Sequence, residues 1–248
     1  GEDDYGLASK EGLAAVGASV EGVRSIESVT TGVAVITVEA SGENRIAVVP
    51  GANGAYTAAE LERDVAFFKE AKVALFQLET PIDTVSKALG LARDSGCITI
   101  LDPAPARVLD EEVLSKVDYL TPNLSELSLL SGRALSEESS EAEIVSAARS
   151  LLEFGVGTVL AKLGERGAVL LDGDGYERVY AVSAKAVDST GAGDCFNGAF
   201  AAALSREITP VEAARFACLA ASISVTRPGA QSSVPCLEEV LGAASGIV

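Results

Sequence analysis

Short apolar runs alternate with segments of helical periodicity along most of this chain. The runs predict strands at 72–79, 97–101, 119–120, 158–163, 168–172 and 176–182. Apolar residues recurring every three to four positions predict helices at 58–70, 81–94, 110–117, 123–131, 140–154, 192–205 and 209–225. Such alternation indicates an α/β fold, in which a mainly parallel sheet carries helices on both faces.

Two further strand-like stretches, 33–39 and 45–49, flank the turn-forming residues SGEN. They predict a β-hairpin that is appended to the α/β unit. No internal repeat, low-complexity tract or linker interrupts the 248 residues, so we expect one domain over 1–248.

Composition narrows the class of protein. The apolar runs are too short to cross a bilayer, and the first residues, GEDDYGLASKEGL, lack the apolar core of a signal peptide. We therefore expect a soluble, cytoplasmic protein that does not enter a membrane. The formal charge of −17 argues against nucleic-acid binding, which needs Lys and Arg at the phosphates. A small anionic ligand remains possible, because backbone amides bind phosphate without side-chain charge.

Metal and triad chemistry that needs histidine is excluded, because the chain contains no histidine. The four cysteines, Cys97, Cys195, Cys218 and Cys236, are widely spaced and form no paired zinc motif. We expect them to be small core residues in a reducing compartment.

The stretch DSTGAGDCFNGAF combines a glycine turn with the start of a predicted helix. Gly191 and Gly193 permit unusual backbone dihedrals and close approach of a ligand. The free amides and the positive dipole end of the helix suit a phosphate or a developing negative charge. Asp194, in the first helical turn, is placed either to accept a proton or to cap the helix, and the motif alone leaves both roles open.

The stretch TPNLSEL also has two interpretations. Asn123 and Glu126 have the spacing of a helix capping box. They also follow a strand, at the sheet edge where α/β proteins bind ligands, and a carboxylate there could hold Mg²⁺ through water.

Three more stretches supply candidates. AKLGERGAVLL, from 161 to 171, predicts either a plain hairpin turn or a ligand loop between two strands. VTRPGAQSSVP, from 225 to 235, is an irregular loop whose carbonyls could coordinate a cation. Glu79 ends a buried strand, and DPAPA follows the next strand. Since these groups gather at the carboxyl ends of strands, we expect them to share one crevice.

Taken together, these stretches resemble the ribokinase-like (PfkB) family of carbohydrate kinases. DSTGAGDCFNGAF resembles the family signature DTxGAGDxFxGAF, with Ser189 in place of the commoner Thr. TPNLSE resembles the N-x-x-E magnesium motif, and AKLGERG resembles the K-x-G-x-x-G nucleotide loop. Within the family, TTGVAVI, SGENRIAVVPGAN, QLETP, DPAPA and GAQSSVP resemble the ribokinases. The matches are collinear over almost the whole chain.

The resemblance implies a three-layer α/β/α sandwich with a small β lid, of which the hairpin at 33–49 would be part. It implies transfer of the γ-phosphoryl group of ATP to the 5-hydroxyl of D-ribose. Asp194 would take the hydroxyl proton, and the amides of Gly191, Ala192 and Gly193 would form the anion hole. The alternatives are another sugar or nucleoside kinase of the family, or an inactive nucleotide-binding form.

The resemblance also implies the remaining ligand sites. Asn123 and Glu126 would serve the phosphates and Mg²⁺, and Glu79 would contact the sugar. The nucleotide site would comprise Lys162, Leu163, Gly164, Glu165, Arg166, Gly167 and Gly193, with Cys218 near the adenine. A potassium-type cation would bind Asp188, Thr190, Ser224, Arg227, Gly229 and Ser233, largely through carbonyls. The lid would form a homodimer contact.

One family element is not found in the sequence. The N-x-D strand and the GGKGANQA-like loop, which supply most sugar contacts in ribokinases, would precede Gly1. We therefore expect the chain to hold the ATP half of the site and the base, with most of the ribose pocket outside it.

Overall fold

The computed structural model describes residues 1–38 and 44–245, and its main feature is a six-stranded sheet. The strands lie in the order of the chain: β3 (Val73–Phe76), β4 (Ile98–Leu101), β5 (Tyr119–Leu120), β6 (Thr158–Lys162), β7 (Ala168–Leu171) and β8 (Tyr176–Val179). Neighbours from β3 to β6 are parallel, and β7 and β8 are antiparallel to their predecessors. The predicted, mainly parallel sheet is confirmed.

Helices cover both faces of this sheet. Those that follow β3 are α5 (Ile82–Asp94), α6 (Glu111–Leu114), α7 (Leu124–Ser131), α8 (Glu141–Leu152), α9 (Ala192–Leu204), α10 (Pro210–Ser224) and α11 (Leu237–Ser245). Before β3 lie α1 (Asp4–Ala15), α2 (Ala52–Ala55), α3 (Ala58–Leu61) and α4 (Val65–Glu70).

The two faces carry separate cores because successive strand residues point to opposite sides. Leu101 packs with α5, α7 and α8 in one core, whereas its neighbour Ile100 packs with α9 and α10 in the other. Phe200 is fully buried in the second core and meets Tyr119 edge to face, with ring centroids 5.3 Å apart. The layers are therefore helix, sheet and helix.

The hairpin forms a separate two-stranded sheet. β1 (Val33–Val38) pairs antiparallel with β2 (Asn44–Val49), and Val33 lies opposite Val49. The turn at 39–43 lies outside the described residues. Val33, Val35, Val48 and Val49 expose their side chains.

The predicted helix at 58–70 is wrong in one respect, because the chain breaks into α3 and α4. Asp64 interrupts it: its side chain is buried and accepts hydrogen bonds from Arg24 Nε at 3.2 Å and the Tyr56 hydroxyl at 2.7 Å. Asp64 is the N-cap of α4 but its side chain makes no capping hydrogen bond there, so these tertiary contacts coincide with the break.

Other predictions differ at their ends. The strand predicted over 176–182 ends at Val179, and the helix predicted over 110–117 covers only Glu111–Leu114. The sequence did not predict α1, none of whose residues is buried, so no apolar face marks it. It also did not predict α2 or α11. Cys97, Cys195 and Cys218 are buried as expected, but Cys236 is exposed, which corrects that prediction.

Across the described parts of the chain, every helix is too short or too polar to cross a bilayer.

Candidate active site

The start of α9 is a left-handed turn that needs glycine. Gly191, its N-cap, has a φ of 75°, and a Cβ there would meet Ala230 at 3.4 Å. Within the described residues, the amides of Gly191, Gly193 and Asp194 donate no hydrogen bond, whereas the Ala192 amide donates to the Ser189 carbonyl at 3.2 Å. Three unpaired amides at a helix start suit an anion. Of the predicted set, Gly191 and Gly193 have unpaired amides, whereas the Ala192 amide already donates a hydrogen bond, and Asp194 has a third unpaired amide.

Asp194 is exposed and does not cap α9. The cap position belongs to Gly191, and no described residue donates a hydrogen bond to the Asp194 carboxylate. The capping interpretation is therefore wrong, and the carboxylate is available to an external group.

A cleft of about 580 Å³ lies beside the start of α9. Its lining includes Lys162, Gly164, Glu165, Arg166, Gly167, Gly193 and Cys218, which are seven of the eight residues predicted for the nucleotide loop and adenine. The eighth, Leu163, does not line the cleft, because its side chain is buried in the core. The structure thus gathers residues from β6, α9 and α10 around one cavity.

The floor of this cleft is the turn between β6 and β7. Gly164–Arg166 form a 3₁₀ turn closed by a hydrogen bond from the Leu163 amide to the Gly167 carbonyl at 2.7 Å. The Arg178 guanidinium lies behind it and donates to the Arg166 carbonyl. This stretch is therefore a hairpin turn that borders the cavity, and its role as a ligand loop stays a prediction.

Asn123 and Glu126 form a complete capping box at the start of α7. The Asn123 side chain accepts from the Glu126 amide at 2.9 Å, and the Glu126 carboxylate accepts from the Asn123 amide at 2.7 Å and from its side-chain nitrogen at 2.9 Å. Burial raises the pKa of Glu126. Asn123 also pairs with Lys162 in a parallel bridge, which places this box beside the cleft residue Lys162.

Asp102, the first residue of DPAPA, links three elements at the carboxyl end of the sheet. Its Oδ2 atom accepts hydrogen bonds from Lys162 Nζ at 2.9 Å and Asn197 Nδ2 at 2.5 Å. Burial raises the pKa of Asp102, although the Lys162 ammonium opposes that shift.

Of the six residues predicted for the cation, three meet directly. The Asp188 carboxylate accepts from the Thr190 amide at 2.9 Å and the Gly229 amide at 2.8 Å. Ser224 ends α10, and Arg227 and Ser233 follow it in the next segment. Their side chains contact other partners: the Ala221 carbonyl, Glu239 and the Ala230 carbonyl, respectively. In the described ranges, acidic and cysteine side chains form no group of three placed to hold a metal ion.

Glu79 is exposed after the end of β3, and no described residue donates a hydrogen bond to its carboxylate. The amide of the preceding residue, Leu78, donates a hydrogen bond of 2.8 Å to the carbonyl of Ala104 in the DPAPA loop. Glu79 therefore lies at the predicted sheet edge but borders neither the cleft nor the cavity of about 440 Å³ next to Asp194.

Sequence reasoning missed Asn197 and Arg178. Asn197 is a buried polar residue in an otherwise apolar stretch of α9, three positions after Asp194, and that contrast was its available signal. Arg178 gave no signal, because an arginine in a surface strand is ordinarily a solvated side chain.

Comparison with known proteins identifies the family. The model for the pfkB family of carbohydrate kinases matches residues 1–237. The chain is 37% identical to a ribokinase from Haemophilus influenzae over 97% of this chain and 78% of the relative. It is 33% identical to a deoxyribokinase from Salmonella typhi over 96% of this chain and 78% of the relative.

A solved structure of Arabidopsis thaliana ribokinase, complexed with ribose and ATP, superposes with a TM-score of 0.91. It is 32% identical, and the match covers 98% of this chain and 78% of that one. The fold is therefore ribokinase-like. The chain belongs to the pfkB family of carbohydrate kinases, ATP-binding phosphotransferases with an alcohol group as acceptor.

Proposed function

We propose that this chain transfers the γ-phosphoryl group of ATP to the 5-hydroxyl of D-ribose, giving D-ribose 5-phosphate. The observation that carries the proposal is the placement of Asp194. Its carboxylate has no hydrogen-bond donor within the described residues and lies in the same helical turn as the unpaired amides. A base and an anion site in one turn suit a reaction in which a hydroxyl loses a proton while a phosphoryl group arrives.

Each part of the site has a separate task. Asp194 accepts the proton of the sugar hydroxyl, and the amides of Gly191, Gly193 and Asp194 stabilise charge on the transferred group. The cleft between the 164–167 turn and Cys218 holds the nucleotide, which supplies the phosphoryl group. Most of the barrier is lowered by positioning and charge stabilisation, since this chemistry needs no covalent intermediate.

The buried carboxylate of Glu126 fits a hydrated Mg²⁺, because hard cations prefer carboxylate oxygens. Its two oxygens already accept hydrogen bonds from Asn123, which fixes their direction. Asn123 and Glu126 would thus hold the ion that accompanies the phosphates and screens their charge.

Potassium would bind where the 188–190 and 224–233 segments meet. Asp188 joins these segments through the Gly229 amide, and its carboxylate, together with backbone carbonyls of the two segments, would supply oxygen ligands to a large monovalent cation. Exchange of K⁺ for Na⁺ or Li⁺ tests this, with activation expected only by the larger ion. Equal rates in all three salts would remove potassium from the proposal.

The exposed valines of the hairpin support a homodimer. Val33 and Val35 lie two positions apart on β1 and share one face, and contiguous exposed apolar side chains mark association surfaces. Sedimentation of the protein and of Val35→Glu tests the contact. The variant should be monomeric, and an unchanged mass would place any dimer elsewhere.

Substrate choice is tested with a panel of D-ribose, 2-deoxyribose, fructose and adenosine, assayed by ATP consumption. We expect the highest kcat/KM with D-ribose. Preference for adenosine or fructose would contradict the ribose proposal. Preference for 2-deoxyribose would indicate deoxyribokinase activity, the activity for which the Salmonella typhi relative is named. ATP binding without turnover of any acceptor would favour the inactive nucleotide-binding form.

A further inference from the structure

A buried charge network lies between the nucleotide cleft and the sheet. Asp102 is 6% exposed and Asn197 is 2% exposed, and each has a buried Oδ1 atom with no hydrogen-bond partner among the residues that the structure describes. Asp102 Oδ2, by contrast, accepts from both Lys162 and Asn197. The network joins β4, β6 and α9, whose residues are sixty and ninety-five positions apart in the chain.

Stability alone is a poor reason for this arrangement. Removing an ion pair from water carries a desolvation penalty for each ion, and the attraction between the partners offsets that penalty only where all lone pairs are satisfied. One Asp102 oxygen is not satisfied. An apolar pair at these positions would therefore serve the core at least as well.

The position of the lysine gives the network a use. Lys162 Nζ lies 3.6 Å from the point that a Cβ on Gly193 would occupy, so the ammonium is next to the unpaired amides at the start of α9. Lys162 also lines the cleft, whereas Asp102 does not. The carboxylate thus contacts the ammonium from the protein side and leaves its cleft side to a ligand.

We propose that Asp102 is a positioning residue for phosphoryl transfer: it holds the Lys162 ammonium at the start of α9, where the transferred phosphoryl group binds. The inference rests on the proposed function of the cleft. A lysine has a flexible four-carbon stem, and fixing it costs rotamer entropy. Because Asp102 already holds the ammonium in the folded protein, binding of the ligand does not have to restrict the lysine side chain.

Asn197 connects α9 to this hydrogen-bond network. It lies three positions after Asp194, which places both residues on one face of α9. Through its hydrogen bond to Asp102, the helix that carries the base is tied to the group that orients the lysine. The Asp194 carboxylate, the amides at the start of α9 and the Lys162 ammonium thereby keep fixed positions relative to one another.

The variant Asp102→Asn tests the proposal. Asparagine can place its carbonyl oxygen where Oδ2 lies and keep both hydrogen bonds, so the substitution chiefly removes the charge that anchors Lys162. The measurement is calorimetric affinity for a non-hydrolysable ATP analogue and for ADP. We expect affinity for the analogue to fall about tenfold, a difference near 1.4 kcal/mol, with little change for ADP, because only the former presents a γ-phosphate. In steady-state assays of sugar phosphorylation, kcat should fall while the KM for the sugar stays unchanged.

Asp118→Asn is the matched control. Asp118 also accepts a backbone hydrogen bond beside the sheet, from the Thr99 amide at 2.8 Å, but just before β5, at the amino end of the strands. Its loss should lower thermal stability without changing the ratio of the two nucleotide affinities.

Lys162→Gln and the double variant decide between positioning and packing. If Asp102 acts through Lys162, the double variant should lose no more analogue affinity than Lys162→Gln alone. Additive losses, or equal losses for the analogue and ADP, would overturn the proposal. An altered Mg²⁺ requirement with an unchanged affinity ratio would also overturn it, since the carboxylate would then act on the metal. The binding ratio is measurable even if no sugar is phosphorylated, so failure of the ribose assay would be distinguishable.

Discussion

The carboxylate of Asp188 accepts a 2.8 Å hydrogen bond from the amide of Gly229, forty-one residues further along the chain. The same carboxylate accepts from the Thr190 amide at 2.9 Å. One side chain therefore fixes the loop before α9 against the loop after α10. Hydrogen bonds from Thr190 and Gly229 lower the pKa of Asp188 to about 2.

This pKa predicts an acid-dependent loss of stability. The folded-state pKa lies below the unfolded value of about 3.9, so the ionised form stabilises the fold above about pH 4 and that contribution disappears as pH falls toward 2. We expect Asp188→Asn to melt below the parent protein at neutral pH, and the difference to vanish on acidification. Thermal melts followed by circular dichroism across this range measure it.

Asp174→Asn, in the exposed turn between β7 and β8, is the control and should melt with the parent at every pH. A deficit of Asp188→Asn that persisted unchanged at about pH 2 would contradict the hydrogen-bond origin of the shift.

Removing the proposed base should separate chemistry from binding. Asp194→Asn should lower kcat by about 10²–10⁴-fold, the usual worth of general base catalysis, while ATP affinity changes little. Asp83→Asn removes an aspartate from the first turn of α5 and should leave both unchanged. Retained turnover in the Asp194 variant, measured as sugar phosphate formed, would exclude its role as base.

Two capping boxes in this chain allow a matched comparison. Asn123 with Glu126 starts α7, and Ser140 with Glu143 starts α8. Asn123→Ala and Ser140→Ala should each cost about 1 kcal/mol in the free energy of unfolding, because each removes one capping acceptor. Urea denaturation measures this loss.

Only Asn123→Ala should also lower kinase activity at limiting Mg²⁺, because only Glu126 lies at the cleft end of the sheet. If both variants lost stability and neither lost activity, the α7 box would be purely structural.

The glycine at the start of α9 should resist substitution. Gly191→Ala places a Cβ on a left-handed residue, which costs about 1–2 kcal/mol, whereas the contact of that Cβ with Ala230 at 3.4 Å is an ordinary van der Waals contact. Gly90→Ala, in the interior of α5 with no atom near its added Cβ, should gain about 0.5–1 kcal/mol. Melting temperatures of the two variants should therefore move in opposite directions, and a shared direction would count against the backbone argument.

The cysteines predict a reactivity difference. Burial raises the pKa of Cys218 to about 11, so its thiol remains protonated at about pH 8, whereas Cys236 is exposed. Iodoacetamide should label Cys236 first, and Cys236→Ser should abolish the fast phase in a mass-spectrometric time course. Early labelling of Cys218 would show that the cleft opens more widely than the structure indicates.

Much of the architecture followed from local pattern. The alternation of apolar runs and helical segments placed the six strands of the sheet and most helices, because buried strands and amphipathic helices carry their period in the sequence. It failed where tertiary contacts intervened, as at Asp64, whose bonds to Arg24 and Tyr56 coincide with the break in a predicted helix. It also failed for α1, which has no buried face to reveal it.

The motifs likewise determined which residues are candidates, since glycine turns, carboxylates and capping spacings are local features. The sequence by itself thus specified the family, the sheet, and a carboxylate next to a glycine turn at a helix start. Only the tertiary structure decided that Leu163 faces the core, that the Ala192 amide is already engaged, and that Asp102 meets Lys162 and Asn197. The physical reason is that side-chain direction and long-range hydrogen bonds depend on how β4, β6 and α9 pack together, and no local spacing encodes a contact across sixty or ninety-five residues.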